Sequence, residues 1–167
     1  MGRAKDLFDR IAKEGEKAID DFIVDRQSEE LFLDFKQSAD AGRGRKLHDN
    51  DRWNLSKAIS GFGNSEGGVI VWGVDCRDDA AQGDVARCKV PIENPKRFVS
   101  RLEGAVSGCT IQAHPHVRHH AVESGSPPPA LLLHISPRVT WHLIRQRVAL
   151  NTTCVQDLIL FPSLMQS

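Results

Sequence analysis

The segment Gly67-Gly68-Val69-Ile70-Val71-Trp72-Gly73-Val74 limits this chain more than any other. It is apolar without alternation, so it does not read as a strand with one wet face. A short β-rich run of this kind is expected of a strand covered on both faces. The rest of the chain must then supply an apolar layer for each side.

Those layers are legible. Leu7, Phe8, Ile11, Ala18, Ile19, Phe22 and Ile23 recur at helical spacing through the first 25 residues, and Gly15 divides the segment. Leu55, Ala58, Ile59 and Phe62 trace a short helix just ahead of the buried strand, with Asp49 or Asp51 available as its cap. Asn94-Pro95 opens another helix, continued by Phe98, Val99, Leu102, Ala105 and Val106. From Leu31 the period is two, with Leu31, Leu33 and Phe35 on one side and Phe32, Asp34 and Lys36 on the other. Further strands are expected at 117–122 and 130–135, and the polar stretch 75–93 reads as loop. The order helix, strand, helix, strand, helix, strand, strand describes an α/β protein with a single mixed sheet, α+β remaining open.

Of the 167 residues, 40% are hydrophobic and 26% charged, which excludes a disordered chain. Lys plus Arg and Asp plus Glu both number 22, so any attraction for an anionic partner must be local. Residues 1–40 hold 7 basic and 11 acidic side chains, whereas 41–60 hold 5 and 2. The basic group is Arg43, Arg45, Lys46, Arg52 and Lys57, and a solvated face or a phosphate-contacting patch would each account for it. Cys76, Cys88, Cys109 and Cys154 form no C-x-x-C pair, which argues against a disulfide framework or structural zinc and for a reducing cytoplasm. The N-terminus turns charged at once, unlike a signal peptide, and no apolar run approaches the roughly 20 residues that span a bilayer.

Two motif readings fail on their own terms. Gly61–Gly68 has Glu66 where a dinucleotide fingerprint needs its last glycine, and it runs from helix into strand rather than the reverse. A tight structural turn is the better account. His114, His116, His119 and His120 crowd together, but alternation sends His119 and His120 to opposite faces, which does not suit a metal site. The carboxylates carry more chemistry. Asp34 lies in the first strand and Asp75 directly follows the buried one; if the two strands are neighbours, these acids could converge near one sheet end. Converging carboxylates would bind Mg²⁺ or Mn²⁺ and set a water against a phosphodiester, though acids flanking strands are also commonly just solvated.

Taken together, these blocks resemble the Schlafen AlbA_2 domain, a family assigned to DNA binding and widespread in bacteria. Its opening pattern, a glutamate followed by Glu-Phe-Lys, is matched by Glu29-Glu30-Leu31-Phe32-Leu33-Asp34-Phe35-Lys36, with Asp34 in place of the second glutamate. Its second block is matched nearly throughout from Ile59 to Asp75, and Leu131–Pro137 echoes its proline-ended strand. The resemblance divides the chain into an N-terminal helical segment at 1–27, the family domain at 28–137 and an atypical tail at 138–167. That tail, which lacks the family's Tyr- and Arg-bearing strand, is expected to be truncated or read from a shifted frame.

The resemblance implies a mixed-sheet α/β fold and a nucleic-acid ligand, either DNA or structured RNA, for a module that would act as a regulator. Some relatives cleave RNA with a metal held by carboxylates from these blocks, which here means Glu29, Asp34 and Asp75 as both catalytic and metal-binding residues. Other members are described as transcriptional regulators or ATP-binding proteins, but the chain has no ATP motif of its own. Lys36, Arg43, Arg45, Lys46, Arg52 and Lys57 are the expected phosphate contacts. The competing expectation is a protein-interaction or sensor module whose N-terminal stripe packs on a second copy, as a homodimer, or on a missing C-terminal partner domain.

Overall fold

A computed structural model of the chain describes residues 2–79, 83–109, 117–122 and 131–136, with 77–79 and 131–136 described by their backbone. The expectations for the tail, for His114 and His116, for Cys154 and for the proline-rich link at 123–130 lie outside these residues.

The N-terminal stripe forms two helices, α1 (Arg3–Glu14) and α2 (Glu16–Val24), broken at Gly15 as its helix cost predicts. The remaining elements are β1 (Leu33–Lys36), α3 (Asp49–Gly63), β2 (Gly68–Trp72), β3 (Val74–Asp79), β4 (Gly83–Lys89), α4 (Pro95–Val106), β5 (Arg118–Val122) and β6 (Leu131–Ser136). Four strands form a mixed sheet in the order β1-β2-β6-β5, with β1 and β2 parallel and the other two pairings antiparallel.

The apolar run lies at the centre of this sheet, and all five residues of β2 are buried. Its pleat sends Val69 and Val71 into a core shared with Phe8, Ile11, Ile19, Phe22 and Phe35. Ile70 and Trp72 enter a second core with Leu55, Ile59, Phe98 and Leu102. Helices α1 and α2 therefore cover one face, and α3 and α4 the other. Burial of Ile11, Ile19 and Phe22 removes the reason for assigning the N-terminal stripe to a partner, because its apolar side is already satisfied within the domain.

Three local expectations need correction. Residues 75–93 hold a β-hairpin, not a loop, so a second, two-stranded sheet of β3 and β4 accompanies the main one. Its polar sequence concealed it. Val85 and Ala86 are buried on β4, as Val74 and Asp75 are on β3, and the hairpin is held from outside by Glu29 N–H donating to the Asp84 carbonyl and Ala86 N–H to that of Gln27. Leu31 lies outside β1 and is 89% exposed. Reciprocal hydrogen bonds between Glu30 and Leu33 put it at the tip of a tight turn. The cap of α3 is His48, whose Nδ1 accepts from Asn50 N–H, while Asp51 is drawn into the preceding loop. Asn94 does cap α4, accepting from Arg97 N–H at 3.0 Å.

Two glycines explain the turns that frame β2. A Cβ on Gly68 would clash with the Phe62 ring, so the second glycine of the pair is required by the close approach of α3. Gly73 has φ of 89°, a left-handed conformation, and there the chain leaves the sheet for the hairpin. Gly68→Ala is expected to destabilise by about 1–3 kcal/mol through overpacking. Gly61→Ala, in an open helical position of α3, should instead stabilise by about 0.5–1 kcal/mol. Urea denaturation of both variants checks the pair of signs.

Candidate functional site

The acidic motif folds into one cluster at the free edge of β1. Phe35 points into the core, so Asp34 and Lys36 project to the opposite face. Residues 28–30 run between β1 and the hairpin, joined to it by the Ser28–Val85 bridge. This route carries Glu29 back over the strand edge, where its Oε1 accepts from Phe35 N–H at 3.1 Å and from Lys36 Nζ at 3.2 Å. Lys36 Nζ also donates to Asp34 Oδ1 and to the Phe35 carbonyl. One ammonium thus faces two carboxyls, with all three side chains about three-quarters buried.

That stoichiometry sets the protonation. Burial, and then the hydrogen bond with Glu29, push the Asp34 carboxyl up to about 7 against the pull of Lys36. Burial would raise Glu29 as well, but the bond with Asp34, the Lys36 charge and the Phe35 N–H outweigh it and hold Glu29 below its ordinary value. Burial opposes the charge on Lys36, yet its two carboxyl partners raise its pKa. The pair accordingly shares one proton near neutral pH: a carboxylic acid beside a carboxylate, the arrangement that general acid–base chemistry uses. The Cys76 thiol completes the cluster. Burial, followed by the charges of Glu29 and Asp84, pushes it to about 12, so it remains a protonated neighbour and not a nucleophile.

Asp75 is not gathered with Glu29 and Asp34 into a metal-ligand set. It is buried on β3, where a bulge separates it from Cys76, and its Oδ2 lies 4.0 Å from Cys88 Sγ. Cys76, the next residue along β3, reaches Glu29 with its thiol. Among the described residues no three His, Cys, Asp or Glu side chains gather as a metal ligand set. As the side chains stand, two carboxyls are assembled and Lys36 provides their cation.

The basic residues are arranged separately. Lys36, expected among the phosphate contacts, is engaged by the acid pair. The loop from β1 to α3 is held from within by two aspartates. Asp51 accepts from Ser38 Oγ at 2.8 Å and Ala39 N–H at 2.9 Å; burial raises its pKa despite these bonds. Asp40 accepts from Gly42 N–H at 2.9 Å and Gly44 N–H at 2.8 Å. Burial would raise Asp40, but these backbone donors outweigh it and keep the carboxyl low. Arg101 adds a bond from Nη1 to the Gly42 carbonyl.

Exposed on this braced frame are Arg43, Arg45 and Lys46, followed on α3 by Arg52 and Lys57. Arg43 also pairs with Glu93 at 3.6 Å. Among the described residues, Arg45, Lys46, Arg52 and Lys57 have no acidic partner. Trp53, which the sequence reading passed over, lies among them, 65% exposed and with Lys57 Nζ 5.9 Å from its ring centre. Its signal was available, since it falls off the apolar stripe of α3. His119 and His120 do take opposite faces: burial lowers the first, near Glu103, and the second packs on Phe8.

The fold and site together define a layered α/β domain with an acid pair at its edge strand and a braced basic loop beside α3. The sequence matches the family Schlafen, AlbA_2 over residues 29–138, and the chain belongs to that family. No curated protein matches it significantly. Among solved structures it is similar to the solution structure of the N-terminal domain of a protein from Nitrosomonas europaea described as related to the ATP-dependent DNA helicase RecG. That likeness has 20% identity and a TM-score of 0.40, covering 83% of this chain and 74% of the other. No helix among the described residues is long and apolar enough to cross a membrane.

The shared proton has a measurable consequence. Between about pH 4 and 7 the folded state holds a proton on Asp34 that the unfolded state has lost. Stability from this group is therefore full at the acid end of that window and declines as pH rises through it. Glu29, shifted the other way, contributes stability that is lost only as pH falls below its ordinary range. Asp34→Asn should remove the decline, gaining on the wild type between about pH 5 and about pH 8. Parallel urea-midpoint profiles for the two proteins would show that the proton is not held there.

Proposed function

We propose that this domain binds nucleic acid through the β1–α3 loop and the exposed face of α3. The observation that carries the reading is the braced loop: Asp40 and Asp51 fix a backbone from which several cations project without acidic partners. A surface of this kind meets phosphates with little ordering cost, because its frame is set before the ligand arrives. Membership of the Schlafen AlbA_2 family supports the same ligand class. Arg45, Lys46, Arg52 and Lys57 are the phosphate contacts in this reading, with Arg43 contributing once released from Glu93.

A second reading, divalent-metal-dependent RNA cleavage, is favoured by one observation: Glu29 and Asp34 do meet at the strand edge. Oxygen donors of this type suit Mg²⁺ or Mn²⁺. Lys36 would have to yield its place to the ion, and Asp75 would have to turn from Cys88 to complete the set. In this reading Asp75→Asn abolishes Mn²⁺-dependent cleavage of a hairpin RNA while leaving its binding intact. Equal cleavage by the variant and the wild type, or none by either, leaves binding alone.

Counterion release makes the first reading quantitative. Each phosphate neutralised on duplex DNA contributes about 0.9 to the slope of log affinity against log salt. Replacing both Arg45 and Lys46 by glutamate should weaken binding at low salt and reduce that slope by about 1.8. Titration of a labelled duplex at several salt concentrations measures both. Absence of wild-type binding at low salt would sink the proposal.

A further inference from the structure

Trp53 is one of three large hydrophobic side chains exposed among the described residues, with Val24 and Leu31. It differs from the other two in its surroundings. The core side of α3 is already filled by Leu55, Ala58, Ile59 and Phe62, so Trp53 has no packing role in the domain. Its ring stands one turn before Lys57, whose ammonium lies 5.9 Å from the ring centre, and next in sequence to exposed Arg52. Arg45 and Lys46 lie on the braced loop leading into the same helix end. Asp49 is the acidic group on this face, one turn earlier, and the cations outnumber it.

A flat aromatic face ringed by cations suits one ligand chemistry well. Every nucleobase offers a π-face, and the phosphates on either side of an unpaired base need positive partners. A base inside a duplex keeps its faces stacked on its neighbours and is unavailable to such a ring. We propose that Trp53 is a stacking platform for an unpaired base, with Arg52 and Lys57 on the flanking phosphates, so that the ligand carries a single-stranded segment. This rests on the nucleic-acid reading above and narrows it from any phosphate backbone to one with exposed bases.

Fluorescence anisotropy on the full chain tests it, using labelled oligothymidine of about 12 nucleotides, within the usual site size, and a blunt duplex of equal length. Trp53→Ala should weaken oligothymidine binding by about tenfold, the effect of losing one base–aromatic stack. It should leave duplex affinity unchanged. Trp53→Phe, which keeps a ring, should retain most of the single-strand affinity. Equal affinity of Trp53→Ala and wild type for oligothymidine overturns the proposal, as does an equal loss on both ligands. If the wild type binds neither ligand at low salt, the nucleic-acid reading itself fails, and a protein partner becomes the better occupant for Trp53.

Discussion

The structure depends on complete enclosure of β2. Its backbone groups are answered by β1 on one side and β6 on the other, and its side chains divide between two cores. Burying Ile70 and Trp72 on one face and Val69 and Val71 on the other makes helices obligatory on both. The order of the chain then follows: α1 and α2 reach the sheet before its first strand, and α3 crosses from β1 to the parallel β2. The approach of α3 is set by Phe62 over Gly68, and this contact fixes where the outer face of the helix stands.

From that placement come two charged regions of different character. At the edge of β1, burial and a one-to-two ratio of cation to carboxyl make a proton-sharing cluster. On the β1–α3 loop, the acids are turned inwards and act as braces while the cations remain outside. Asp40 and Asp51 thus stabilise a basic surface without neutralising it, since their oxygens meet backbone N–H groups and a serine hydroxyl rather than the guanidinium and ammonium groups nearby.

Much of this was legible in the sequence because periodicity and burial agreed there. The stripe of α1 and α2, the Asn94-Pro95 start of α4 and the doubly buried β2 all follow from apolar spacing and cap chemistry. The β3–β4 hairpin was not legible, because its sequence is mostly polar and its stability comes from pairing with residues 27–29, a contact distant in the chain. The site was half legible. Glu29 and Asp34 do meet, whereas the bulge between Asp75 and Cys76, which sets the local geometry of β3, has no signal in the sequence. Asp51 looked like a helix cap by position. Only the folded loop shows that Ser38 and Ala39 claim it first.

The bond from Phe35 N–H to Glu29 has a consequence beyond chemistry. A terminal strand offers unpaired donors and acceptors that can recruit another polypeptide, and exposed edges of this kind seed intermolecular sheets. On β1 the Glu29 carboxylate occupies a donor that such a strand would need, and the segment at 27–30 with its hairpin stands alongside. A charged side chain folded over the strand margin thereby blunts the edge of β1 as a template for a further strand.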